Sequence, residues 1–175
     1  HVSLIGFSGS GKSSAGRLVA KKLHMRFVDI DEHVEHTFNM SIIQLFLTKG
    51  EKRFRVEERL TIRTVAQLSR SNTVIAVGGG GFEDPESCQL LLEGSVVVYL
   101  KCSQKEIVKR LVRKTDRPLL NISATEKKEF VRALMARRRP NYEMAHITVN
   151  TTGKTIPEVA SEICRKYKAY EIAHV

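Results

Sequence analysis

Gly6-Phe7-Ser8-Gly9-Ser10-Gly11-Lys12-Ser13 decides how this chain is read. The stretch fits Gly-x-x-x-x-Gly-Lys-Ser/Thr in full, the spacing with which a backbone curls around phosphate oxygens. Its glycines admit backbone angles closed to other residues, so successive N–H groups can point inward at an anion. The residues before it, Val2-Ser3-Leu4-Ile5, form a short apolar run that reads as a buried strand. The residues after it, from Lys12 to Leu23, read as a helix whose N-terminus adds partial positive charge. Gly9, Ser10, Gly11, Lys12, Ser13 and Ser14 are therefore the expected nucleotide contacts. Lys12 is placed to reach the β- and γ-phosphates, and the Ser13 hydroxyl to ligate Mg²⁺ directly.

Working outward, the 175 residues suit one domain with a core of ordinary size. No apolar run is long enough to cross a bilayer, so no membrane partner is expected. Cys88, Cys102 and Cys164 are widely spaced and form no Cys-x-x-Cys pair, which reads as reduced thiols in a reducing compartment such as the cytoplasm. The chain opens on His1 rather than Met, directly before the first strand, so an upstream fusion partner or a cleaved leader of the plastid kind stays compatible with it. The formal net charge of +10 suits anionic partners. Basic residues are nevertheless scattered apart from Arg137-Arg138-Arg139, and aromatic residues make up only 6%, too few for a base-stacking platform. Nucleic acid is not an expected partner.

Strand-like and helix-like segments alternate along the chain, the pattern of a parallel sheet with crossover helices. Further strands are expected at 26–28, 73–77, 95–100 and 147–149. Helices are expected at 31–37, 42–47, 51–69, 85–92, 104–113, 125–139 and 156–170. Ser41, Asp84 and Ser103 read as N-caps, Gly50 and Gly94 as stops, and Pro140 as the end of the sixth of these helices. Residues 114–123 are polar, hold Arg117-Pro118 and lack periodicity, which reads as a loop over the site.

Several groups of residues carry chemistry. Asp29 and Asp31 flank Ile30 at the carboxyl end of the second strand, where α/β sheets place their sites. On an extended segment both carboxylates point to one side, one toward a metal and the other toward an acceptor hydroxyl; the alternative is that the pair caps the next helix. Arg55 and Glu58 are three apart on a helix and can pair, either as a solvated ion pair or as a fixed fork for a substrate carboxylate. Gly78-Gly79-Gly80-Gly81 follows a strand, and such a run implies that something approaches the backbone closely. Arg117 is a candidate for neutralising a transferring phosphoryl group. His33 and His36 match no zinc spacing, so no metal is assigned to them.

Taken together, the phosphate loop at 6–13, Asp29-x-Asp31, Phe54-Arg55-x-x-Glu58, Gly78-Gly79-Gly80, Arg117-Pro118-Leu119-Leu120 and the segment from Arg138 to Tyr142 resemble the shikimate kinases in order and spacing, over nearly the whole chain. The resemblance implies a three-layer α/β P-loop kinase fold: a five-stranded parallel sheet in the order 2-3-1-4-5, flanked by helices. The core is expected at 1–30, 72–110 and 145–175, a helical substrate-binding region at about 31–70 and a lid at about 113–124. It implies transfer of the ATP γ-phosphoryl group to the 3-hydroxyl of shikimate with Mg²⁺, by a cytoplasmic monomer. In that scheme Asp31 holds the hydroxyl and acts as base, with Lys12 and Arg117 as the other catalytic groups. Asp29 is an outer-shell partner of Mg²⁺. Arg55, supported by Glu58, and Arg138 clamp the shikimate carboxylate against the wall formed by Gly78, Gly79 and Gly80. Arg110 and Lys154 lie near the adenine. The chain departs from the family pattern in having one glycine more in its run and three consecutive arginines; Arg138 is chosen by its distance from Pro140 and Tyr142.

Two other readings stand beside this one. A related small-molecule kinase, for gluconate or a nucleoside monophosphate, would use Arg55 and Arg138 on another anion. A non-catalytic nucleotide- or nucleic-acid-binding module would draw only on the positive charge.

Overall fold

The computed structural model describes residues 1–68, 72–113 and 124–174. Strands β1 (Val2–Ile5), β2 (Arg26–Asp29), β3 (Thr73–Ala76), β4 (Val96–Lys101) and β5 (Ile147–Asn150) form one sheet in the order β2-β3-β1-β4-β5, with every pair parallel. This is the expected sheet. Parallel neighbours need crossovers, and the helices α1 (Lys12–Leu23), α2 (Ile30–Phe38), α3 (Ile42–Leu68), α4 (Pro85–Gly94), α5 (Gln104–Arg113) and α6 (Ala124–Tyr142) supply them, while α7 (Ile156–Ala173) follows the last strand.

Alternation along the strands assigns the two faces. Val2 and Leu4 of β1, Val74 of β3 and Val98 and Leu100 of β4 pack with Val19 of α1 and Val159 and Ile163 of α7. Ile5, Ile75, Val97 and Tyr99 point the other way, onto Ile62 of α3, Leu91 of α4, Ile107 of α5 and Tyr142 of α6. The result is three layers. A small separate core of Val34, Leu45 and Phe54, backed by Phe38, Ile42 and Phe46, joins α2 to the first half of α3.

Register sets where the strands discharge their loops. Asp29 of β2 and Leu4 of β1 both lie level with Ala76 of β3. The loop after β1, the first turn of α2 and the glycine run after β3 are therefore neighbours at the carboxyl rim.

Helix ends follow local chemistry. Ser41 and Gln44 form a reciprocal cap, Asp84 accepts from the Ser87 amide at 2.9 Å, and Thr155 and Glu158 form a capping box for α7. The break expected at Gly50 is a kink inside α3, where Gly50 has φ 81°. Pro140 does not end α6, which runs two residues further. Proline forfeits one helical hydrogen bond, but Tyr142 is 2% exposed and packs on Tyr99 at 5.1 Å, and this anchorage offsets the loss. The expected lid falls largely on residues 114–123, outside the described residues.

Gly16 sets the spacing between α1 and the sheet, since a Cβ there would meet the Phe27 ring at 2.6 Å and Leu4 at 3.1 Å. Gly94, at the exposed end of α4, has nothing within 4 Å of that position. The two glycines should respond oppositely in urea unfolding. Gly16→Leu lowers stability by about 2–3 kcal/mol through overpacking, whereas Gly94→Ala raises it by about 0.5 kcal/mol through the unfolded chain.

Candidate active site

The loop between β1 and α1 is left-handed at Gly9 (φ 84°) and Gly11 (φ 97°). Gly11 caps α1 without offering a side chain, and the first turn of α1 contains no acidic residue. The amides there lack an internal anion, which is the condition for taking a phosphate. Ser13 and Ser14 stand in that turn. Lys12 Nζ folds over the loop and donates to the carbonyls of Gly6 at 2.8 Å and Phe7 at 3.1 Å. Ser10 behaves differently from its neighbours. Its amide donates to the Phe7 carbonyl at 3.1 Å, and its hydroxyl is buried beside Gly6 with no hydrogen-bond partner. Ser10 thus faces the back of the loop.

Arg110 reaches across from α5 and donates from Nη1 to the Gly9 carbonyl at 3.0 Å, while Glu106 holds its Nε at 3.0 Å. Lys154 follows β5 on a turn with Gly153 at φ 72° and pairs with Glu162 at 2.5 Å. This turn leads into Ile156, whose Cδ1 would lie 3.5 Å from a Cβ at Gly11. Arg110 and the Lys154 turn therefore border the phosphate loop on two sides.

Asp29 and Asp31 do not share an extended segment. The strand ends at Asp29, and Asp31 is in the first turn of α2. Asp29 Oδ1 accepts from the amides of Asp31 at 3.0 Å and Glu32 at 3.3 Å, which makes it the helix cap. An N-cap carboxylate satisfies two orphan amides at once, and that gain outweighs another residue of strand. The capping alternative holds for Asp29, and the turn it starts swings Asp31 toward the glycine run.

That run is where the site converges. A Cβ at Gly78 would lie 2.3 Å from Glu58 Oε1 and 2.6 Å from Asp31 Oδ1. At Gly79 it would lie 3.4 Å from Arg138 Nη1, and at Gly80 2.6 Å from Arg55 Nη1. Two carboxylates and two guanidiniums from α2, α3 and α6 thus crowd one turn that has no room for side chains. Arg55 is fixed by Glu58 at 2.7 Å and Glu51 at 3.1 Å. Glu58 is 2% exposed. Burial pushes its carboxyl up to about 6; Arg55 opposes the shift, the Asp31 charge adds to it and Arg138 also opposes it.

Among the three adjacent arginines, only Arg138 turns inward. It is 7% exposed, lies over the Phe7 ring at 5.6 Å and donates from Nε to Glu83 at 2.7 Å. Arg137 also pairs with Glu83, at 3.0 Å, but stays exposed, and Arg139 pairs outward with Glu143 at 2.6 Å. Tyr142 donates its hydroxyl to the Gly79 carbonyl at 2.5 Å, tying α6 to the glycine turn. Burial pushes the Tyr142 phenol up, against the lowering pull of Arg138. Glu83 belongs to no local pattern, and Phe7 fills a position that the phosphate-loop pattern leaves unspecified, so neither carries a signal in the sequence. Arg117 lies outside the described residues.

The oxygen donors that the sequence assigns to a cation are the Ser13 hydroxyl and the Asp29 carboxylate. They are hard and few, which fits Mg²⁺, a metal that keeps waters and takes phosphate oxygens rather than an all-protein cage. No cluster of three or more acidic, histidine or cysteine residues able to hold a metal occurs among the described residues.

The shikimate kinase family model matches residues 8–168. A shikimate kinase of Chlorobium chlorochromatii is 43% identical over 95% of this chain and 90% of its own length. One of Thermodesulfovibrio yellowstonii is 40% identical over 96% of this chain and 95% of its own. The solved structure of shikimate kinase from Acinetobacter baumannii in complex with shikimate superposes with a TM-score of 0.89 at 29% identity, covering 97% of this chain and 93% of that one. A phosphate loop, two inward guanidiniums and a packed glycine turn on this sheet, together with similarity along nearly the whole length, place the chain in the shikimate kinase family.

Proposed function

We propose that this protein transfers the γ-phosphoryl group of ATP to the 3-hydroxyl of shikimate. The observation that carries the reading is the arrival of Arg55, Arg138 and Asp31 at one glycine turn beside the phosphate loop. Two forks that face a common wall suit a carboxylate bound in a fixed orientation, and a carboxylate nearby suits a hydroxyl. The Acinetobacter relative was solved with shikimate, which supports the same assignment here.

Phosphoryl transfer asks the protein mainly for positioning and charge cancellation. Arg55 and Arg138 hold the shikimate carboxylate, and the backbone of Gly78, Gly79 and Gly80 walls the ring. Asp31 orients the 3-hydroxyl and accepts its proton as the oxygen bonds to the γ-phosphorus. The bond from that phosphorus to the oxygen shared with the β-phosphate breaks, and ADP leaves with that electron pair. The α1 amides and Lys12 stabilise the phosphate charge; Lys12 exchanges its Gly6 and Phe7 carbonyls for phosphate oxygens. Ser13 and, through water, the Asp29 carboxylate would hold Mg²⁺, which would supply neutralising charge to the phosphates. Arg110 and the Lys154 turn flank the adenine. Arg117 is assigned to the transferring group and residues 113–124 to water exclusion, by the family resemblance alone. The region 31–70, with its own small core, is the substrate-binding part. No helix among the described residues is long and apolar enough to cross a membrane; a cytoplasmic monomer is the proposed setting.

The direct test is ADP release with Mg²⁺, which the reading predicts to require shikimate; release indifferent to shikimate contradicts it. Asp31→Asn should lower kcat by about 10³-fold, within the range for a lost general base, while calorimetry finds ADP binding unchanged. Near-normal turnover removes Asp31 from the base role.

Glu58 adds a pH signature. Its folded value, about 6, lies above the ordinary 4.5, so the folded chain binds this proton more tightly. The resulting stabilisation is full below pH 4.5 and is lost as pH rises through 6. Relative to Glu58→Gln, the wild-type unfolding free energy should fall by about 2 kcal/mol between those limits. A pH-independent difference contradicts the raised value.

A further inference from the structure

We infer that Glu83 is a positioning residue for the substrate carboxylate, acting through Arg138. The inference rests on the shikimate assignment above and extends it to a residue outside every motif on which that assignment draws.

The geometry is specific. Glu83 sits at the end of the glycine turn, where its amide donates to the Gly80 carbonyl at 3.0 Å. The next residue, Asp84, caps α4, so the backbone on both sides of Glu83 is held. From this fixed point Oε2 accepts from Arg138 Nε at 2.7 Å, and the same carboxylate engages Arg137 at 3.0 Å. An arginine held along its Nε edge turns Nη1, on the opposite edge of the planar guanidinium, away from that contact. Here Nη1 lies on the side of the glycine turn, within 3.4 Å of the space above Gly79. Phe7 limits the guanidinium from one face, at 5.6 Å. Glu83 therefore fixes the rotation of the fork, and Phe7 limits its tilt.

The arrangement has a cost as well as a use. A carboxylate beside Arg138 weakens its long-range attraction for an anion. In return the fork is ordered before substrate arrives, so less side-chain freedom is lost on binding. It also supplies a buried cation with a counter-charge, without which the Arg138 side chain, 9% exposed, would pay its desolvation alone. Arg137 is 66% exposed and its pairing is screened, so the effect should run through Arg138. Two further links, from Asn141 to the Phe82 carbonyl at 3.4 Å and from Tyr142 to Gly79 at 2.5 Å, keep α6 in register with the turn when Glu83 is altered.

Steady-state kinetics of three variants test this. Glu83→Ala should raise KM for shikimate at least tenfold, with kcat and KM for ATP within twofold of wild type. Glu83→Gln keeps an oxygen that can accept from Nε and should recover KM to within about threefold. Arg137→Ala should leave KM for shikimate within twofold. Should Glu83→Ala fail to fold, Glu83→Asp, which withdraws the carboxylate but keeps the charge, should show the same selective rise. An unchanged KM for shikimate, an equal rise in both KM values, no rescue by glutamine, or an Arg137→Ala variant that copies Glu83→Ala each overturns the inference. If wild-type protein does not phosphorylate shikimate, the underlying assignment fails; if it does and Glu83 behaves in one of these ways, the inference alone fails.

Discussion

A buried carboxylate pressed against a backbone that cannot carry side chains is the constraint on which the site depends. Glu58 is 2% exposed, with Oε2 bonded to Arg55 at 2.7 Å and Oε1 making no hydrogen bond. Its Oε1 occupies space that a Cβ at Gly78 or Gly81 would need, at 2.3 Å and 3.0 Å. Withdrawing such a charge from water is costly unless a partner compensates for it. Arg55 is that partner, and in compensating it is itself held over Gly80. The glycine run is thus the space left for a carboxylate and the arginine it orients.

The same device recurs across the turn. Arg138 is held by Glu83 as Arg55 is held by Glu58 and Glu51. Each fork carries its own internal carboxylate, so the formal charge of +10 is not concentrated where the substrate carboxylate would sit. In the proposed function, selectivity for an anion rests on the planar geometry of two oriented guanidiniums more than on net potential. The phosphate side works by other means. There the charge comes from the amides at the start of α1 and from Lys12, which the carbonyls of Gly6 and Phe7 hold in place.

The parts of this arrangement legible in the sequence are those encoded locally. The spacing of Gly6, Gly11, Lys12 and Ser13 specified a strand, a phosphate loop and a helix, because backbone conformation there depends on neighbouring residues alone. The sheet order and the roles of Arg55 and Arg138 came from family resemblance, since pairing between distant strands leaves no local trace. At Asp29-Ile30-Asp31 the sequence leaves an extended pair and a helix cap both open, and the capping strength of Asp29 decides for the cap, with Asp31 already in the helix. Pro140 predicts a helix end by local rules, because the tertiary anchorage of Tyr142 that carries α6 past it is invisible in the local pattern. Adjacent helical residues point about 100° apart, yet nothing local says which of Arg137, Arg138 and Arg139 faces the core. That is settled by the packing of α6 on the glycine turn, anchored by Tyr142 on the Gly79 carbonyl 63 residues away. Nothing local marks Gly16; its close approach to Phe27 follows only from packing of α1 on the sheet.

Isothermal titration of Gly78→Ala with shikimate and, separately, with ADP and Mg²⁺ bears most directly on the idea that close packing at the turn assembles the acceptor site. The added methyl group occupies the space of Glu58 Oε1 and Asp31 Oδ1, so shikimate affinity should fall by two orders of magnitude or more, while nucleotide affinity, which reports an intact fold, stays at the wild-type value. A variant that binds shikimate as tightly as the wild type would contradict the account.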